Sequence, residues 1–261
     1  MYKHHEQSIE NMKDYYRKHG AVALILAGSV AKGTERADSD LDGVVILSEE
    51  EYAKKERNRT TTETIDGLCT YEGGYFDIKY MTKKYLKDLA RKGSEPARNG
   101  FAKAKILFCN DSEIEEILPL IPVFQRTEKE EKLLSFYSDF WINYHYFLKS
   151  CQIEGYMKMN TIAEIIYSIY RMILQENETL FDCNRRLEQQ AESVSEETAE
   201  LVRLGRKLEI SQSIQDADRF VERFMEITTY EPPKDLAVVL SVYSKDFQEW
   251  WREPRPNIKE W

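Results

Sequence analysis

Asp40 and Asp42 stand one residue apart at the head of the apolar run Val44-Val45-Ile46-Leu47. Upstream lies a second apolar run, Ala21-Val22-Ala23-Leu24-Ile25-Leu26-Ala27, which ends on Gly28-Ser29. Apolar runs this short, punctuated by glycine, predict strands buried on both faces. Residues i and i+2 of a strand share a face, so Asp40 and Asp42 are expected to project together, roughly 6–7 Å apart at about 3.3 Å per residue. Two carboxylates on one face repel and lose hydration unless a cation sits between them. A hard divalent ion with oxygen ligands, Mg2+ above all, is the natural occupant. The glycine-bounded turn from Gly28 to Gly33 adds the Ser29 hydroxyl and backbone N–H groups, which suit a phosphate oxygen. Ser-Asp-x-Asp-Gly by itself is an ordinary polar turn before a strand. With the Gly-Ser turn and two apolar strands around it, the combination points to metal-assisted phosphoryl chemistry.

Gly28-Ser29, then Gly33, then Ser39-Asp40-x-Asp42 resembles the signature of the polymerase-β-type nucleotidyltransferase superfamily, closest to its aminoglycoside and lincosamide nucleotidyltransferases. The matching motif covers about twenty residues and combines several residue types at set spacings, which makes it more specific than a bare glycine pattern. The resemblance implies an α+β chain: a small mixed-sheet catalytic domain followed by an all-helical bundle, with the active site in the cleft between them. It implies that Gly28 and Ser29 hold the triphosphate of an NTP, and that Asp40 and Asp42 bind the catalytic Mg2+. Lys32 stands where several relatives carry Arg; it keeps the charge and loses the bidentate geometry. The resemblance also implies a third acid on a downstream strand, which in some antibiotic-modifying members doubles as the base on the acceptor hydroxyl.

Bulk properties leave room for that reading. The chain has 261 residues, 42% hydrophobic and 32% charged, and a formal net charge of −9. Its length supports one large domain or two modest ones. The acidic balance argues against a broad nucleic-acid surface and favours a small or cationic acceptor. Cys69, Cys109, Cys151 and Cys183 are too widely spaced for a zinc motif and read as free thiols of a reducing compartment. The polar N-terminus lacks a signal peptide's apolar stretch, and no run approaches a membrane span. A cytoplasmic protein is expected.

Along the chain, helical spacing of Ile9, Met12, Tyr15 and Tyr16 predicts a first helix over about 6–19. Residues 49–63 read as a solvated helix or loop. Gly73-Gly74 between Leu68–Glu72 and Tyr75–Met81 signals a two-residue hairpin, with Phe76, Ile78 and Tyr80 on one face and Asp77, Lys79 and Met81 on the other. Asp77 is thereby the candidate third carboxylate, beside the bland alternative of an exposed acid paired with Lys79 or Lys105; Glu72 is a weaker substitute. A helix over 83–92, a strand over 105–109 and an Asn110-Asp111-Ser112 helix cap follow. Pro119 and Pro122 mark a boundary, giving domains 1–122 and 123–261.

Beyond it only helices are predicted, with wide apolar faces from Leu133 to Leu148 and from Ile162 to Ile173 and further segments over 197–209, 214–226 and 234–251. Of the basic residues there, Lys149, Lys158 and Arg171 are singled out, each read first as a partner in an ion pair, with Lys158 the choice for the triphosphate. Trp141, Tyr144, Tyr146 and Tyr156 are core or an acceptor pocket. His4, His5 and His19 receive no metal role. The Trp250–Pro256 tail suits docking on the helices or on a second copy, as in a homodimer.

The expected activity is an adenylyltransferase that moves AMP from ATP onto a hydroxyl of a small acceptor such as an aminoglycoside. A second-messenger oligonucleotide synthetase and an antitoxin-like enzyme acting on a protein partner are the alternatives.

Overall fold

Each residue of Ala23–Leu26 is buried, and this four-residue strand lies inside the sheet that carries the first half of the chain. The computed structural model describes residues 1–252 and 254. By its internal contacts the chain divides into two units, Met1–Val123 and Phe124–Trp261.

The first unit runs α1 (Lys3–Lys18), β1 (Ala23–Leu26), α2 (Gly28–Lys32), β2 (Leu41–Leu47), α3 (Glu49–Arg57), β3 (Thr62–Asp66), β4 (Tyr75–Thr82), α4 (Lys83–Lys92), α5 (Glu95–Asn99), β5 (Lys105–Cys109) and α6 (Ser112–Ile117). The five strands form one mixed sheet in the order β3-β4-β2-β1-β5. Strands β2 and β4 are parallel, and the other neighbours are antiparallel. Alternation along β1 and β2 splits the core. Leu24, Leu26, Leu41 and Val45 join Ile9, Met12 and Tyr16 of α1 on one face. Ala23, Ile25, Val44 and Ile46 join Leu86 and Leu89 of α4 and Ile114 and Ile117 of α6 on the other. Each Leu, Ile, Val or Met among them, taken from water, stabilises the fold by about 1.5–3 kcal/mol.

Three expectations are corrected here. The antiparallel strand paired with β4 is Thr62–Asp66, which starts at the end of the segment read as solvated helix or loop and runs three residues past it; Leu68–Glu72 belongs to the connection. A polar edge strand, exposed at four of its five positions, carries no apolar alternation to betray it. Gly74 is required by close approach: a Cβ there would lie 2.6 Å from the Tyr71 ring and 2.8 Å from Cys69 Cβ. Finally, the Gly28–Gly33 turn is a short helix, α2, whose N-cap position belongs to Ala27.

Arg98, fully buried on α5, closes this unit. Its guanidinium donates to the carbonyls of Ala90 (2.9 Å), Gly93 (2.8 Å), Ile121 (3.0 Å) and Val123 (3.4 Å). Helix α4 and the segment after α6 are thereby tied through one cation.

The second unit has helices and no strand among its described residues: α7 (Lys129–Trp141), continued by a π-helical stretch (Ile142–Leu148), then α8 (Gly155–Glu176), α9 (Asn184–Glu192), α10 (Glu196–Ser211), α11 (Ile214–Ile227) and α12 (Leu236–Gln248). Its core gathers on α8, where Ile162, Ile165, Ile169, Tyr170 and Ile173 meet Phe136 and Phe140 of α7 and Phe220 and Phe224 of α11. With the mixed sheet before it, the chain is α+β. The four cysteines are free and partly buried. Among the described residues no helix is long and apolar enough to cross a membrane. Of the aromatic tail, Trp250–Arg252 form a short 3-10 turn; residues 253 and 255–261 lie outside the described residues.

Candidate active site

The parallel pairing of β2 with β4 sets Asp42 directly opposite Asp77. Both strands present these residues on the face whose deeper positions, Val44, Ile46 and Met81, are in the core beside α4 and α6. Asp40 lies just before β2, which begins at Leu41, so it belongs to the loop and not to the strand as expected. The spacing still delivers it: carboxylate oxygens of Asp40, Asp42 and Asp77 lie within 4.8 Å of one another. Among the described residues no other three His, Cys, Asp or Glu side chains meet in this way.

Electrostatics follow from that crowding. Burial, then the charges of Asp40 and Asp77, push the Asp42 carboxyl from 3.8 up to about 6, against the opposing pull of Lys79 and Lys32. The Asp40 charge likewise raises the Tyr75 phenol at the start of β4. Three hard oxygen donors, one of them short of counter-charge, fit a divalent cation of the Mg2+ class.

The glycine of the Gly-Ser pair has a second job beside the turn. Gly28 has φ +63, and a Cβ on it would fall 1.6 Å from Oδ2 of Asp42. Only a residue without a side chain lets the start of α2 come this close to the carboxylate. Ser29 follows within α2, half-buried. Lys32, at the end of α2, donates to Oδ1 of Asn99 at 2.9 Å and stands near enough to ease the Asp42 charge.

The remaining expected residues have other surroundings. Glu72 is exposed in the turn before β4. Lys158 is half-buried in the first turn of α8, in the second unit. Lys149 pairs with Asp218 at 3.0 Å. Arg171 is fully buried, 4.5 Å and 4.1 Å from the ring centres of Phe136 and Phe181, and out of reach of any phosphate. Tyr144 is core, whereas Tyr146 and Tyr156 are exposed.

Sequence reasoning missed the groups that hold the loop before Asp40. Tyr71 donates its hydroxyl to the Ser39 carbonyl at 2.5 Å, and Nε2 of His4 meets the Ala37 carbonyl at 2.9 Å. His4 and His5, given no metal role from the sequence, are therefore neighbours of the acidic site's approach. The one available signal was the polar–aromatic opening Tyr2-Lys3-His4-His5 on an otherwise ordinary amphipathic helix.

Residues 6–144 match the profile of a nucleotidyltransferase domain family. A solved structure of a nucleotidyltransferase-like protein from Exiguobacterium sibiricum 255-15 is similar at 11% identity, with a TM-score of 0.46, over 96% of this chain and 81% of that one. No curated protein matches the chain.

Proposed function

The chain belongs to the nucleotidyltransferase domain family, and from that we propose that it transfers a nucleoside monophosphate, AMP from ATP, to a hydroxyl of a small acceptor. The observation that carries this reading is the meeting of Asp40, Asp42 and Asp77 within 4.8 Å, opposite a glycine that admits nothing else beside Asp42.

Asp40, Asp42 and Asp77 would hold Mg2+, which when bound neutralises charge on the phosphates and orients the reacting oxygens. The acceptor oxygen forms its bond to the α-phosphorus as its proton passes to Asp77. The α–β phosphoanhydride bond breaks, and pyrophosphate leaves with the electron pair. Gly28 and Ser29 bring backbone close to the triphosphate, and Lys32 is assigned to its charge. The net charge of −9 favours a cationic acceptor, and an aminoglycoside-like amine-bearing alcohol is the class to try first. A cytoplasmic setting would supply both NTP and Mg2+.

The test is pyrophosphate release from each of the four NTPs with Mg2+, with and without a panel of aminoglycosides and other polyols. Acceptor-dependent release with ATP, reduced at least about a thousandfold in Asp42→Asn and Asp77→Asn, is the expected result. Turnover at the wild-type rate in Asp42→Asn would overturn the assignment. Linked nucleotides formed without any acceptor would replace it with an oligonucleotide synthetase.

A further inference from the structure

Two of the three acids are held by the sheet, and the third is not. Asp42 and Asp77 sit in facing register on β2 and β4. Asp40 precedes β2, at the end of an irregular stretch that begins after α2. The paired register begins one residue later, at Leu41 opposite Phe76, yet the Asp40 carboxylate meets the other two. The Tyr75 side chain at the start of β4 bonds that carboxylate, and the backbone from which it departs is held from outside the sheet.

The first turn of α1 and the β3–β4 connection supply that support. The Tyr71 hydroxyl donates to the Ser39 carbonyl at 2.5 Å. That carbonyl belongs to the planar peptide group joining Ser39 to Asp40, so fixing it restrains the backbone from which the Asp40 side chain departs. His5 is fully buried, with its ring 4.4 Å from that of His4 and 5.1 Å from that of Tyr71. Neither of its nitrogens closes a hydrogen bond of normal geometry; the Ser39 backbone and the Glu35 carboxylate are the loop groups that act on it. A buried polar ring so placed gives folding less than a phenyl ring would. The two sides of the clamp are also tied together, since Thr70 donates its N–H to Ser8 Oγ at 2.9 Å and its hydroxyl to the His4 carbonyl at 3.0 Å.

We propose that Tyr71, backed by His5, is a positioning residue that sets the Asp40 carboxylate and so tunes the affinity of the acidic site for a divalent cation. The proposal rests on the reading of the three aspartates as cation ligands. Groups that orient a metal ligand typically contribute 10- to 100-fold to affinity.

The experiment uses the full chain with Mn2+ as the probe, in wild type, Tyr71→Phe, His5→Phe and Asp42→Asn. Mn2+ affinity is read by calorimetry, and amide exchange is followed over residues 34–41. Tyr71→Phe removes one hydroxyl and keeps the ring, so it is the variant least prone to misfold. Expected in Tyr71→Phe are Mn2+ binding weaker by about tenfold and faster exchange over 34–41. The Mn2+ concentration for half-maximal rate should rise with it, by more than the rate at saturating Mn2+ falls. His5→Phe should move the same quantities in the same direction. Wild-type Mn2+ affinity and unchanged loop exchange in both variants would overturn the proposal. Equal Mn2+ binding by wild type and Asp42→Asn would instead overturn the ligand reading beneath it, and the proposal with it.

Discussion

A methyl group on Gly28 would stand 1.6 Å from Oδ2 of Asp42, far inside van der Waals contact. The φ of +63 at Gly28 adds the strain of a left-handed backbone on any side chain placed there. Gly28→Ala should therefore destabilise the chain by about 1–3 kcal/mol. It should also displace Asp42 and lower activity by on the order of a hundredfold. Urea denaturation and pyrophosphate release check the two halves separately. Activity within twofold of wild type would show that the carboxylate can leave its place unharmed.

Asp42 carries a pH dependence of defined sign. Its folded-state value, about 6, lies above the ordinary 3.8, chiefly through burial. The folded chain therefore holds the proton better than the unfolded chain, and this group favours folding most below about pH 4. The benefit is lost as pH rises between 3.8 and about 6, leaving a penalty of about 2 kcal/mol once solvent screening is allowed for. Without divalent ions, Asp42→Asn should be more stable than wild type at pH 7.5 by about 1–2 kcal/mol, and the gap should close toward pH 4. Denaturation at both pH values tests this; a gap that widens on acidification would contradict it.

Arg98 serves four carbonyls from a site with no solvent access. Arg98→Met keeps much of the volume and removes every donor, leaving those buried acceptors short of partners. A loss of about 3–5 kcal/mol is expected, read as a shift of the urea midpoint. A change below about 1 kcal/mol would mean that the carbonyls find other donors.

Gly205 on α10 and Tyr170 on α8 form a pair that a double-mutant cycle can resolve. A Cβ on Gly205 would lie 2.2 Å from the Tyr170 hydroxyl oxygen, which is buried without a hydrogen-bond partner. Gly205→Ala should cost about 1–3 kcal/mol. Tyr170→Phe alone should be close to neutral and should recover about 1 kcal/mol or more in the double variant. Additive effects would mean that the two residues do not meet.

The three aspartates that meet in the structure were readable from residues alone. Asp40 and Asp42 declared themselves by spacing, and Asp77 by its alternation with Phe76 and Ile78. Their mutual register was not readable, because the pairing of β2 with β4 is a long-range choice made by the whole sheet. Gly73-Gly74 misled for a local reason: Gly74 makes room for the Tyr71 ring rather than a two-residue turn. The edge strand β3 was hidden by its polarity, and Tyr71 and His5 by distance along the chain from the acid they approach. The helical unit was easier, since its broad apolar stripes have one period and no partner strand to choose.

The β2–β4 register has a consequence for how errors in this molecule would show themselves. In β4 the neighbours of Asp77 are Phe76 and Ile78, both wholly shielded from water. Sliding the strand by a single position would bring one of them alongside Asp42 and turn the greasy side of the ribbon outward. A misaligned chain would therefore be sticky and short-lived, and would not persist as a well-formed but inert copy. Whatever selection acts on the oily interior proofreads the meeting of Asp42 and Asp77 as well.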